Sequence, residues 1–147
     1  MSDGSKTVGT ASSYRPAMPP RPAVVELVVA DMAASLAFYR RLGLDTSAAD
    51  PAAPHVELDL SGGLRLALDT EDTIRSFEPG WTPPTGGHRS ALAFACDAPA
   101  EVDAVYADLV DAGYRGHLAP WDAVWGMRYA VVLDPDGATV DLFAPLT

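Results

Sequence analysis

One unit of sequence grammar occurs twice in this chain, and it constrains the fold more than any other feature. An apolar run, Val24 to Ala30 (VVELVVA), is followed by Asp31, an amphipathic stretch from Met32 to Leu42 (MAASLAFYRRL), and Gly43. Further on, Ser90 to Cys96 (SALAFAC) is followed by Asp97, Pro99, a second amphipathic stretch from Ala100 to Ala112 (AEVDAVYADLVDA), and Gly113. The first run reads as a strand covered on both faces and the second as another apolar strand. Each aspartate reads as a helix N-cap and each glycine as a helix stop. A step of 66 takes Asp31 to Asp97, and a step of 67 takes Tyr39 to Tyr106 and Leu42 to Leu109, so one inserted residue separates the copies.

Each unit continues into a hairpin. His55 to Leu60 and Leu64 to Leu68 flank Ser61-Gly62-Gly63; Met127 to Leu133 and Ala138 to Phe143 flank Asp134-Pro135-Asp136-Gly137. Serine, glycine and proline supply the turn conformations. Strands that are not each followed by a helix exclude a doubly wound parallel sheet. The fold class is therefore α+β: a mixed, curved sheet with two helices packed on one side.

Residues 1–22, rich in Ser, Thr, Gly and Pro, cannot bury enough surface to offset their ordering entropy and read as a flexible tail. The folded part runs from 23 to 147, as modules at about 23–80 and 86–147 joined by the Pro/Gly-rich EPGWTPPTGG. With 10 basic against 20 acidic residues the net charge is −10, the wrong sign for nucleic acid or an anionic membrane. There is no signal-like leader and no apolar run of the roughly 20 residues that cross a bilayer, which makes the cytoplasm the expected compartment. The single cysteine, Cys96, reads as a buried structural thiol, because Asp97 beside it opposes thiolate formation.

Candidate functional residues collect in a few places. Trp121 and Trp125 lie four apart, a spacing that points both the same way in strand or helix, and planar indoles suit planar ligands; Gly126 leaves room for one. Both could equally fill a core. Glu26 is the one charge in an apolar strand and faces either water or a cavity, and Asp141 shares that ambiguity. Tyr129 and Phe94 are possible cavity walls, whereas Phe38 and Tyr39 belong to the core side of a helix. His55 follows a proline at a strand start, and Arg65 and Arg128 could meet oxygen-rich ligands.

Two stretches, V-x-D-x3-S-x2-FY-x2-LGL at Val29 to Leu44 and DPDG-x3-DLFxP at Asp134 to Pro145, resemble the glyoxalase, bleomycin-resistance and extradiol-dioxygenase family. Longer motifs resemble its antibiotic-binding members for mitomycin and anthraquinone-fused enediynes. They are Pro54-His55, DTxxTxRS (Asp69 to Ser76), PTGGHR (Pro84 to Arg89) and LVDAGYxGHLxPWxAVWGxRYAxVxDPDG (Leu109 to Gly137). The resemblance implies paired βαβββ modules and a homodimer with exchanged elements. It also implies a cavity assembled from two modules, where Trp125 of AVWG and His55 of PH sandwich a flat antibiotic with no cofactor and no covalent step.

Enzymatic members of the family hold a divalent metal with four side chains. Those positions fall here on Val24, Ser90, Ala67 and Asp141, and a lone carboxylate cannot supply the donors such an ion needs. A displaced set of Glu26, His88 and Asp141 is the alternative, giving a metal-dependent lyase, isomerase or dioxygenase. A third reading is an accessory protein that hands a drug to an exporter. For a binding role, about 600 Å² of apolar burial contributes roughly 15 kcal/mol against an association cost of about 4 to 15. Stacking and one or two hydrogen bonds must then supply the margin for tight binding.

Overall fold

The computed structural model describes residues 18–147; most of the expected tail lies outside the described residues. In chain order the elements are β1 (Val24–Val29), α1 (Met32–Arg41), β2 (His55–Asp59), β3 (Arg65–Thr70), α2 (Glu71–Phe77), β4 (Leu92–Ala95), α3 (Pro99–Asp111), β5 (Gly116–Asp122), β6 (Met127–Leu133) and β7 (Thr139–Pro145). The class is α+β. The strands form two sheets where one was expected: a three-stranded sheet ordered β1-β3-β2 and a four-stranded sheet ordered β4-β7-β6-β5. In each, the first strand pairs parallel with the last and the remaining pairs are antiparallel.

The halves are unequal copies. The C-terminal half is a full βαβββ unit, while the N-terminal half lacks the strand corresponding to β5. The chain there reads DTSAADPAAP (45–54). Asp45 and Asp50 accept from the backbone N–H of Ser47 and Ala52, folding the segment into local turns, and Pro51 and Pro54 have no N–H to donate to a ladder. The N-terminal half carries α2 instead. Thr70 caps that helix through the N–H of Thr73, and Glu71 and Asp72 lie in its first turn, a start signal unread in the sequence analysis above.

The caps of the two long helices also differ. Asp31 accepts from Ala34 N–H at 3.1 Å, as expected. Asp97 is not a cap: Ala98 holds that position with no side-chain bond, and Glu101 reaches back to the N–H of Asp97 at 2.7 Å. Counted from Asp31 to Ala98, the step between copies is a uniform 67, so no residue is inserted.

One hydrophobic core serves both sheets. It joins Leu36, Phe38 and Tyr39 of α1, Leu66 and Leu68 of β3, Val102 and Leu109 of α3, and Ala130, Val132, Val140 and Leu142 of β6 and β7. Phe38 meets Tyr39 and Tyr114 edge-on, each at 5.0 Å. Polar contacts also cross between the halves. Tyr39 Oη donates to Asp134 Oδ2 at 3.2 Å, Ala30 N–H donates to Asp136 Oδ1 at 3.1 Å, and Arg41 pairs with Asp108 at 3.0 Å. Burial and the Asp134 carboxylate push the Tyr39 phenol well above its usual range. Burial likewise raises Asp136, partly opposed by the Ala30 N–H. Among the described residues no helix is long and apolar enough to cross a membrane.

Candidate functional site

α1 and α3 pack into the shared core on one side of their sheets; among the described residues neither lies on the opposite face, and strand register decides what that face presents. In the C-terminal sheet, Trp121 pairs with Tyr129, and Tyr129 with Phe143, so all three project to the same side. Trp125 sits in the turn between β5 and β6, which closes through the Gly126 N–H to Ala123 carbonyl bond at 3.0 Å. Gly126 was expected to make room for a ring. No atom crowds it; its role is conformational, because φ is +83°, a region glycine enters without penalty.

The turn folds Trp125 back over the sheet. Its ring meets Trp121 at 6.1 Å and 89°, and Tyr129 at 5.4 Å and 79°; Trp121 and Tyr129 meet at 5.5 Å, and Phe143 lies nearly parallel to Tyr129 at 6.4 Å. Trp125 is nonetheless 58% exposed. The hydroxyl of Tyr129 donates to Asp141, and burial with that carboxylate raises the phenol to about 12. The structure thus brings Trp121, Trp125, Tyr129 and Asp141 together and adds Phe143, which the sequence reading missed although it stands two residues after Asp141. Phe94 is a correction: it pairs with Leu142 on the helix-covered face and packs against the core. Arg128 is not free for a ligand, being paired with Asp103 at 2.9 Å and Asp122 at 3.1 Å.

The uncovered face of the N-terminal sheet is polar. Glu26 and Glu57 flank Ala67, and His55 lies across from Asp69. His55 Nδ1 is 2.5 Å from Asp69 Oδ1, and Nε2 is 3.3 Å from Glu57 Oε2; these two carboxylates, Asp69 foremost, raise the imidazole above its usual value. A hydrogen bond with Asp69, then burial, raises Glu26. His55 lines a recess with Asp45, Asp50 and Arg65 in which neither tryptophan takes part. Asp69, buried at the end of LRLALD, is the second residue the sequence reading missed; a carboxylate following the apolar LAL run was its signal.

These two faces belong to a known architecture. The model of the Glyoxalase/Bleomycin resistance protein/Dioxygenase superfamily matches residues 21–142. The chain belongs to that superfamily. A solved glyoxalase/bleomycin resistance protein/dioxygenase from Nocardioides is 27% identical, with a TM-score of 0.69 over 89% of this chain and 87% of that one. A hypothetical protein from S. aureus (TM-score 0.71, 19% identity, 86% and 94% covered) and a family enzyme from Burkholderia phytofirmans PsJN (0.71, 22%, 84% and 98%) share the fold. No curated protein sequence matches the chain.

The superfamily's name spans enzymes and resistance proteins, so the donor set of this member matters. Of the four family metal positions, Val24 and Ser90 are exposed and lack a donor suited to a catalytic divalent ion, Ala67 is a buried methyl group, and Asp141 is engaged by Tyr129. These residues do not fit the ion. Glu26 and His88 line one cleft of about 400 Å³ between β1 and β4, with Leu27, Trp81, Leu92 and Asp136, but Asp141 is not part of it. The displaced set is therefore not assembled. Among the described residues no three His, Cys, Asp or Glu side chains converge as a metal site. Cys96 is half-buried, and burial raises its thiol, consistent with a structural role.

Proposed function

We propose that this protein binds a planar aromatic antibiotic, a mitomycin-like quinone or an anthraquinone-fused enediyne, and holds it in the cytoplasm without chemical change. The observation that carries this reading is the exposed Trp125 ring, braced at right angles by Trp121 and Tyr129 on a face that no helix covers. An exposed indole that merely fills space is poorly used. One already fixed by its neighbours loses little rotamer freedom when a flat ligand stacks on it, and that ordering cost otherwise erodes affinity.

The superfamily's name includes a resistance protein, and so does that of the Nocardioides relative, which supports a binding role. His55 and Trp125 stand on different sheets, so in this reading the second wall of each site comes from a second copy of the chain, giving a homodimer with two equivalent sites. The donor set at the family's metal positions favours binding over metal-dependent turnover.

Fluorescence titration with mitomycin C and with an anthraquinone tests the reading. Trp125→Ala and His55→Ala are each expected to weaken binding tenfold or more, about 1.4 kcal/mol, with the melting temperature unchanged. Unchanged affinity in both variants overturns the sandwich. Stoichiometric divalent metal by elemental analysis, with turnover abolished by chelator, would establish the enzyme alternative instead.

A further inference from the structure

His55 is flanked by acceptors at both ring nitrogens. Asp69, across the β2–β3 pair and only 4% exposed, faces Nδ1, and Glu57, on the same strand, faces Nε2. A neutral imidazole has one N–H and could satisfy only one of two carboxylates; the doubly protonated ring satisfies both. The surroundings are arranged to keep it so. Glu26 on β1 faces the same side of the sheet, its carboxyl raised by Asp69 and by burial, while Asp69 stands at Nδ1 of His55. Arg65 on β3 donates to Glu57 at 3.2 Å, so Glu57 keeps a partner when it leaves Nε2. Asp45 and Asp50 line the same recess, and Asp59 completes the exposed side of β2.

We infer that Asp69 is a positioning residue of the ligand site. It holds the imidazolium of His55 by Nδ1 so that the Nε2 N–H is offered to an ionised hydroxyl oxygen at the edge of the bound ring system. This rests on the reading that His55 walls the ligand site, its imidazole meeting the ring system there with its N–H edge, and it names the ligand chemistry: flat, with an anionic oxygen at its edge. A ligand oxygen takes the place of Glu57, and Asp69, being buried, stays. The raised imidazole sets the pH dependence. The charged donor is present below the midpoint of His55 in the folded protein and is lost as pH rises through it.

The first test needs no ligand. The ring C–H resonances of His55 in wild-type protein are expected to titrate above the usual imidazole value, and in Asp69→Asn the midpoint falls back toward it. The second uses 2-hydroxy-1,4-naphthoquinone, ionised at neutral pH, and its 2-methoxy ether. Wild type is expected to bind the hydroxy compound at least tenfold more tightly and to lose that advantage above the His55 midpoint. Asp69→Asn is expected to bind the two within threefold of one another. A wild-type His55 that titrates at or below the usual value, or equal affinity for the two probes, overturns the inference and leaves the stacking reading standing. Failure of both probes to bind wild type overturns the ligand reading and this inference with it.

Discussion

The two halves of the chain share a register and differ in dress. On the helix-covered side both present aliphatic residues, Val56, Leu58, Leu66 and Leu68 in one sheet and Ala130, Val132, Val140 and Leu142 in the other, because those positions complete one core. On the uncovered side they part. One sheet carries Glu26, His55, Glu57 and Asp69; the other carries Trp121, Tyr129 and Phe143 beneath Trp125. Packing constrains the first set and not the second, so the uncovered positions are where copies of a module are free to take different chemistry. One face is acidic and centred on an imidazole, the other aromatic, and the proposed function uses both.

Four substitutions break or sharpen this comparison. The largest effect is expected from Phe38→Ala. Phe38 is fully buried and edge-packed on Tyr114 beyond α3, so its truncation removes packing that both halves share, at a cost of about 3–5 kcal/mol in urea denaturation. The loss should appear in a single transition; two transitions would mean that the halves fold apart. Gly116→Ala is next. A methyl group there would lie 2.1 Å from the Tyr106 hydroxyl oxygen, forcing the ring of α3 off β5, and roughly 1–3 kcal/mol of thermal stability should go. The N-terminal half has no β5 and no such contact, so an effect near zero would show that α3 sits loosely on its sheet.

The smallest effect separates the two helix starts. Asp31→Ala should cost about 1 kcal/mol because it deletes a cap bond, whereas Asp97→Ala should cost less than about 0.5 because only the backbone N–H of that residue is engaged. Equal losses would mean that Asp97 caps after all.

Much of the fold was legible in particular residues. The long apolar runs located β1 and β4, Asp31 marked the start of α1, and the glycine-rich turns located both hairpins, since each of these depends on local backbone or burial preferences. Two elements escaped. GHLAPWD gives no alternation for β5, an edge strand whose pairing with β6 is interrupted by register shifts at Leu118 and Trp121. The Thr70 start of α2 was legible but lay inside a stretch read only as a motif. Trp121, Trp125, Tyr129 and Asp141, which the structure gathers on one face, had been singled out by residue type, while Phe94 packs on the other, core side. A four-residue strand has too few alternations to reveal its inward side, and only its register with β7 settles it.

The sequence by itself determined the repeated unit and the α+β class, because repetition and periodicity are properties of the chain. Tertiary structure alone decided that the strands divide into two sheets, that Asp69 stands beside His55, and that the aromatic cluster and the imidazole lie on separate sheets. Those facts depend on which strand pairs with which, and at what register, across separations that no local preference encodes.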